Sequence, residues 1–471
     1  MTRIVAGVLM LSCALVCAGA QDHEQINQEA RAIFKQLIEI NTTESVGNVT
    51  KAAEAMAQRL REAGFPDQDV VVAGPDARKK NLVVRLRGTG QRPPVLFIGH
   101  LDVVEARRED WSMDPFQFIE QDGNFYGRGT RDMKAGDAIL VMSFLRLKRE
   151  GYQPDRDLIV ALTADEEAGN ANGVDWLLKE HRDWINAEYC INLDGGEFER
   201  LRGQRVLAGL QASEKVYVDY QLETTNPGGH SSIPGPDNAI YELAAALGKL
   251  AKFSFPVRIN EITREYFARS AAFESGALAT DLRGAAQDPP NPLAIQHLST
   301  IPYYNALLRT TCVATMLSGG HAANALPQSA RANVNCRIFP GEDPEQVRKT
   351  LERVVADPDV KVTPVSDKTA DGKPIPIVAV PPSPLQPELT KALESTLGTM
   401  WPGMQVVPTM STGATDGKYL RIAGIPTFGI ACMFFDMEDD RSHGRDERVG
   451  VQDFYEGVEF GYRFMKTLSS Q

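Results

Sequence analysis

Two short polar stretches each close an apolar, β-branched run. G-H-L-D at Gly99–Asp102 follows P-V-L-F-I at Pro94–Ile98, and T-A-D-E-E-A-G at Thr163–Gly169 follows L-I-V-A-L at Leu158–Leu162. Runs that are apolar at every residue read as strands buried on both faces, the parallel strands of an α/β sheet. Open α/β sheets carry their sites at the C-terminal ends of such strands. His, Asp and Glu side chains gathered there predict a two-metal hydrolase site, with the Glu-Glu pair placing a ligand beside a base.

The chain has 471 residues, enough for two or three domains, and its 43% hydrophobic and 24% charged residues are those of an ordinary globular protein. A formal net charge of -12 argues against a nucleic-acid partner. The acidic run Asp436–Asp440 reads as solvated surface. Residues 1–20 read as a signal peptide: Arg3, the apolar stretch Ile4–Cys17, then Ala18-Gly19-Ala20 as a small-residue cleavage site. Export to the periplasm or the medium is the expectation, with lipoprotein anchoring through Cys13 or Cys17 the less favoured alternative. No other window is long enough to span a membrane. The four remaining cysteines, Cys190, Cys312, Cys336 and Cys432, show no zinc-ribbon spacing and read as buried free thiols rather than disulfides.

Along the chain, helical periodicity over 25–40 and 49–63 is followed by strands near 81–87 and 94–99. A helix over 134–149, a strand at 157–163, a helix near 173–181 and a strand at 188–193 continue the alternation of a doubly wound sheet. The pattern changes near Ser213. Lys215–Glu223 and Arg331–Phe339 alternate apolar and polar residues, with helices at 237–252 and 343–355 and a short strand at 360–363. That is a small α+β domain with one exposed sheet face. Residues 256–310 read as short helices and loops, and the stretch near 370 as a linker. Helix 385–399, strand 424–431 and helix 451–468 resume the α/β style. The domain reading is therefore a catalytic domain in two parts, 21–212 and 370–471, interrupted by an inserted lid or dimerisation domain at 213–369.

The ordered motifs are G-H-L-D-V-V (99–104), Y-G-R-G-T-R-D-M-K-A-G (126–136), T-A-D-E-E-A-G (163–169), N-L-D-G-G-E (192–197), N-P-G-G-H-S-S (226–232), N-A-L-P (324–327), S-T-G-A-T-D-G (411–417) and S-H-G-R-D-E-R-V (442–449). Together they resemble the di-zinc metallopeptidase family of carboxypeptidase G, acetylornithine deacetylase, succinyl-diaminopimelate desuccinylase, aminoacylase and carnosinase-type dipeptidases. The resemblance implies that His100 and Asp194 bind one zinc, Glu167 and His443 the other, and Asp132 both. Cobalt or manganese remain alternatives, because affinity order alone does not choose the metal. It implies Glu166 as general base and Asp102 as hydrogen-bond acceptor for the His100 ring nitrogen turned away from the metal. It also implies a cis peptide after Asp132, and His230 as an oxyanion donor reaching the partner subunit's site in a homodimer. Asn324 and Arg337 would bind the substrate's carbonyl and free carboxylate, and Gly413 and Asp416 would lie in the substrate-pocket loop.

Bland readings compete at single positions. Glu166–Glu167 would answer a helix dipole, Asp194 would cap a strand end, Asp416 would hold a turn and Arg337 would be solvated. His23, His181, His297 and His321 stand apart from other ligands and read as structural or exposed. One departure from the family pattern is Glu105, where relatives often carry Pro. Asp194 fits the peptidase branch better than the deacylase branch. The expected activity is hydrolysis of an amide or peptide bond next to a free carboxylate, by a carboxypeptidase or dipeptidase. An N-acyl-amino-acid deacylase is the alternative, and a catalytically silent peptide- or metal-binding descendant the outside one.

Overall fold

A computed structural model describes residues 23–169, 171–366 and 377–470. The signal-peptide reading at 1–20 and the linker reading near 370 lie outside the described residues. The chain divides into two compact units. Among the described residues, the first comprises those from 23 to 210, 384–406 and 423–470; the second comprises those from 211 to 383 and 407–422. The second unit therefore begins near the sequence-read boundary of 213. It extends past 369, and it takes in 407–422, which the sequence reading assigned to the second part of the catalytic domain.

In the first unit a twisted sheet runs in the order Val70–Asp76, Lys79–Leu86, Leu158–Thr163, Val95–His100, Tyr189–Asn192, Thr427–Gly429, Gln204–Glu214, Phe198–Leu201, Phe434–Asp436. Val95–His100 pairs in parallel with both Leu158–Thr163 and Tyr189–Asn192, and Thr427–Gly429 pairs in parallel with Tyr189–Asn192. These are the strands with unbroken apolar runs, and every residue of Val95–His100 and Leu158–Thr163 is buried. Each fully buried Val, Leu or Ile contributes about 1.5–3 kcal/mol, so this centre anchors the strand ends that carry the site. Helices Val49–Glu62, Lys134–Arg149, Pro387–Met400 and Val451–Leu468 belong to the same unit. Lys134–Arg149 is buried from Lys134 to Leu147, as befits a helix packed on several sides.

In the second unit an antiparallel sheet runs Thr311–Gly319, Ser329–Ile338, Val216–Thr225, Lys361–Val365. One face packs helices Ala239–Leu250 and Pro344–Val355 around Val218, Tyr220, Leu222, Val334, Leu243 and Leu351. The other face carries Tyr217, Asp219, Asn333, Asn335 and Arg337, the alternation read from sequence. Residues 256–310 hold helices Glu261–Ser270, Gly276–Ala285, Pro292–Leu298 and Pro302–Leu308.

The cysteine reading needs a correction. Cys312 and Cys336 form a disulfide, while Cys190 and Cys432 are buried free thiols. The two bonded residues are direct cross-strand partners on neighbouring strands. Their separation of 24 residues carries no trace of that pairing.

Candidate metal centre

Two ligand groups form at the strand ends of the first unit, and Asp132 belongs to both. His100, Asp132 and Asp194 make one; Asp132, Glu167 and His443 make the other. His100 Nε2 lies 3.1 Å from Asp132 Oδ1 and 3.9 Å from Asp194 Oδ1. His443 Nε2 lies 3.1 Å from Asp132 Oδ2 and 3.0 Å from Glu167 Oε1. Ligands bonded at 2.0–2.2 Å around a tetrahedral ion stand roughly 3.4 Å apart, and these separations fit that edge. Asp132 turns one oxygen to each imidazole, the arrangement a bridging carboxylate needs. The donor set, one imidazole and two carboxylates per group, suits a borderline divalent ion such as zinc.

Electrostatics agree. Burial opposes protonation of His100, yet its bond to Asp132 and the charges of Asp194, Asp102 and Asp132 hold its pKa well above the usual value. The His443 pKa is raised to about 10, chiefly by its bonds to Asp132 and Glu167. Burial pushes the Asp132 carboxyl upward, but the two imidazoles override it and hold the group far below the ordinary range. The carboxylates outnumber the imidazoles, so the cluster stabilises added positive charge, which two divalent ions would supply in place of protons.

The polypeptide positions these atoms closely. A Cβ at Gly99 would collide with Asp137 Oδ1 and Met133 Cε, so only glycine lets the His100 strand end approach the turn after Asp132. The Asp132–Met133 peptide is cis. Lys134 is fully buried and donates from Nζ to the carbonyls of Leu37 and Ile40, both at 2.9 Å, tying the end of helix 23–39 to that turn. His443 has φ +60°. Its loop is stitched by Asp439, which accepts from Arg441 at 2.8 Å and Arg448 at 2.7 Å, and by Asp440, which accepts from Ser442 N and Oγ at 3.0 and 2.8 Å. Part of the acidic run read as solvated surface thus shapes the loop of a candidate metal ligand.

Asp102 departs in detail from its expected part. His100 Nδ1 faces the backbone carbonyl of Asp102 at 3.0 Å, while the nearer carboxylate oxygen is 3.8 Å away. The carboxylate instead accepts the backbone N–H of Glu166 on Oδ1, at 3.2 Å, and of Glu167 on Oδ2, at 3.0 Å. Those two amides lie closer to the carboxylate than the ring does, so Asp102 fixes the ring with its carbonyl and the Glu-Glu turn with its side chain.

Glu447 was missed by sequence reading. It is completely buried. Its Oε1 accepts Arg131 N at 2.6 Å and Asp132 N at 3.0 Å, and its Oε2 accepts Gly129 N at 3.1 Å and Arg128 Nη1 at 2.7 Å. The small ladder between Arg448–Gly450 and Asn124–Tyr126 brings it there. Its presence in the motif S-H-G-R-D-E-R-V was the available signal, but a residue that works on backbone amides leaves no ligand spacing. Glu447→Gln should weaken metal binding about 10–100-fold, read by chelator competition, because an amide cannot accept on both ends. Unchanged metal affinity in a folded variant would remove Glu447 from this account.

The remaining sequence-read residues lie in the second unit. His230 is exposed on the short strand Gly229–His230, which pairs with Ala325–Leu326. Ser232 N donates to its Nδ1 at 3.2 Å, which leaves Nε2 to carry the ring proton as a donor. Asn324 is exposed, and its carbonyl accepts Ser231 N at 3.0 Å. Arg337 lies with its guanidinium carbon 4.6 Å from the Tyr217 ring centre, directly across the strand pair. Among the described residues no carboxylate lies within ion-pair distance of it. Gly413 N donates to Ser411 Oγ at 3.0 Å, and Asp416 is buried. Their loop is held by a second unforeseen residue, the buried Glu214. It pairs with Arg421 Nη1 at 2.8 Å and accepts Thr415 N and Oγ1 at 3.1 and 2.9 Å.

Comparison with known proteins follows the same lines. The model of peptidase family M20/M25/M40 matches residues 96–467. A probable carboxypeptidase S-like 2 of Dictyostelium discoideum is 29% identical over 387 residues, covering 79% of this chain and 71% of that protein. The Homo sapiens N-fatty-acyl-amino acid synthase/hydrolase PM20D1 is 27% identical over 401 residues, covering 80% and 74%. Among solved structures, the M20 family metallo-carboxypeptidase Sso-CP2 from Sulfolobus solfataricus shares the fold with a TM-score of 0.68 at 15% identity, over 94% of this chain and 100% of that one. Human carnosine dipeptidase 1 does so with a TM-score of 0.63 at 16% identity, over 96% and 99%. The chain belongs to peptidase family M20/M25/M40 and is a hydrolase of the metallopeptidase kind.

Proposed function

We propose that the protein is an exported di-zinc hydrolase that cleaves an amide or peptide bond next to a free carboxylate, as a carboxypeptidase or dipeptidase does. The observation that carries this reading is the pair of ligand groups joined through Asp132. His100, Asp132 and Asp194 would hold one ion, and Asp132, Glu167 and His443 the other. Bound there, the ions would polarise the scissile carbonyl and acidify the attacking water. Glu166 takes the proton from that water on its carboxylate and returns it to the leaving amine nitrogen. The Nε2–H of the partner's His230 stabilises the charge that develops on the carbonyl oxygen. Asn324 assists at the substrate carbonyl, and Gly413 and Asp416 shape the pocket loop. Arg337, which has no carboxylate within ion-pair distance among the described residues, grips the substrate's terminal carboxylate.

The cross-strand disulfide supports export, since such bonds persist in oxidising compartments. A homodimer is supported by the outer strand Thr311–Gly319 of the second unit's sheet. It exposes Val313, Met316 and Leu317, beside Ile240 and Tyr241 of the neighbouring helix. An apolar sheet edge of this kind invites a second copy. The alternative substrate, an N-acyl amino acid, draws support from the likeness to PM20D1 and to Sus scrofa aminoacylase-1.

The test is side-by-side turnover of dipeptides, longer peptides and N-acyl amino acids, each with a free or amidated C-terminus. Amidation should raise KM strongly in the wild type. Arg337→Ala should raise KM for free substrates about 10–100-fold while leaving amidated ones unaffected. Equal cleavage of free and amidated substrates by the wild type would sink the exopeptidase reading.

A further inference from the structure

The turn that carries Glu166 and Glu167 begins in an uncommon backbone conformation. Asp165 is buried and has φ +65°, in the left-handed region, although it is not glycine. Aspartate tolerates that region better than most residues because its short polar side chain bonds locally. Both of its carboxylate oxygens are engaged here. Oδ2 accepts the N–H of Ala171, and Oδ1 lies 2.7 Å from Lys79 Nζ. The Asp165 carbonyl accepts Gly169 N at 3.0 Å and Asn172 Nδ2 at 3.4 Å. The turn is thus organised around one buried carboxylate, and among the described residues Lys79 is the one cation within ion-pair distance of it.

Strand pairing explains why Lys79 stands there. Lys79–Leu86 runs antiparallel to Leu158–Thr163, with Leu82 opposite Leu162. The same register, carried on, brings Asn81 and Lys79 alongside the residues that follow Leu162. Asn81 Oδ1 accepts Ala164 N at 2.9 Å, and Lys79 meets the carboxylate of the next residue. The ammonium also binds Glu44 Oε2 at 2.7 Å. Asp102 holds the two amides that follow, Glu166 N and Glu167 N.

We infer that Lys79 is a positioning residue for this turn: its ion pair with Asp165 fixes the backbone from which Glu166 and Glu167 project. The inference rests on the proposed role of Glu166 as general base and adds a residue on which that role depends. A carboxylate buried beside its cation is tolerated, whereas one left buried without a counter-charge is costly. With Lys79 gone, the Asp165 side chain keeps only Ala171 N, and the turn must open to water to solvate the charge. Asp102 still binds the amides of Glu166 and Glu167, but it does not hold the dihedral angles of Asp165. Glu166 then shifts against the metal ligands, and a displacement of about 1 Å costs on the order of 10²-fold in rate.

The experiment uses the zinc-loaded full-length enzyme and its best substrate. Lys79→Met should lower kcat about 10–100-fold, with KM and metal content close to those of the wild type. Lys79→Arg keeps a cation for Asp165 and should retain most of the activity. Asp165→Asn added to Lys79→Met removes the stranded charge, while Asn still accepts Ala171 N and tolerates the left-handed region. The double variant should therefore recover about tenfold over Lys79→Met alone, a rescue that simple loss of packing would not give. Amide hydrogen exchange of the segment 164–172 should be faster in Lys79→Met and slow again in the double variant. Lys79→Gln replaces Lys79→Met if circular dichroism shows that the latter has not folded. The exchange pattern decides the positioning role even if Glu166→Gln remains active; in that case the general-base reading fails and the positioning stands. Because Lys79 also lines a cavity of about 280 Å³ together with Glu167, a loss confined to KM would mean that it contacts substrate instead. That result, wild-type kcat in a folded Lys79→Met, metal lost in step with activity, a double variant no better than the single one, or unchanged exchange at 164–172 would each overturn the inference.

Discussion

Glu166→Gln is expected to lower kcat by about 10²–10⁴-fold while the protein keeps its full metal content. The two glutamates are adjacent, and the site treats them differently. The Glu167 carboxylate lies 3.0 Å from His443 Nε2, inside the second ligand group. Glu166 belongs to neither group. Its backbone is nonetheless fixed, because Asp102 Oδ1 accepts its N–H. Gln is nearly isosteric with Glu and preserves that backbone bond, so the change removes only the capacity to carry a proton. Glu167→Gln should act in the opposite order, with metal loss first and activity lost as its consequence. Metal content by mass spectrometry and turnover of the best substrate separate the cases. Substantial activity in Glu166→Gln, or loss of both ions from it, would mean that the two roles are exchanged.

The parts of this site legible in the sequence are those that parallel strands impose. Val95–His100 and Leu158–Thr163 are buried on both faces, so their apolar runs are unbroken, and the polar residues that follow them stand out. The alternating strands Val216–Thr225 and Ser329–Ile338 were equally readable, because one face of their sheet is open. Strand Thr311–Gly319 was not read, since its Val313, Met316 and Leu317 face outward and break the expected pattern. Gln204–Glu214 also went unread. It mixes Leu207 and Leu210 with Ala208, Gly209, Gln211 and Ala212, so neither an unbroken apolar run nor a regular alternation marks it. The disulfide depended on strand register, which spacing does not reveal. Glu447 and Glu214 act on backbone amides and a buried arginine, and such work requires only a carboxylate at the right point in space. Asp102 shows the same limit at atomic scale. Its place two residues after His100 is plain in the sequence, but which of its oxygens meets the imidazole is not, because its carboxylate oxygens are taken by Glu166 N and Glu167 N.

His230 supplies the second large expected effect. His230→Ala should lower kcat about 10²–10³-fold with little change in metal content, because the residue lies in the second unit and outside both ligand groups. Its Nδ1 accepts Ser232 N, which leaves Nε2–H as the donor for a developing oxyanion. The edge strand Thr311–Gly319 of the same unit exposes three large apolar side chains. A twofold partner docked there gives each subunit the chance to use the other's His230, and twofold dimers are the commonest assemblies. Two inactive proteins, His230→Ala and Glu166→Gln, should then restore activity when their subunits are exchanged under mild denaturant. In a mixed dimer one site joins an intact Glu166 to the partner's intact His230, while the other site has lost both. At equal proportions roughly half of the dimers are mixed and each has one complete site, so recovery should approach about a quarter of the wild-type rate. Sedimentation must show that mixed dimers have formed. If they form and remain inactive, or if the wild type works at full rate as a monomer, His230 serves its own subunit or none, and the exposed edge strand needs another explanation.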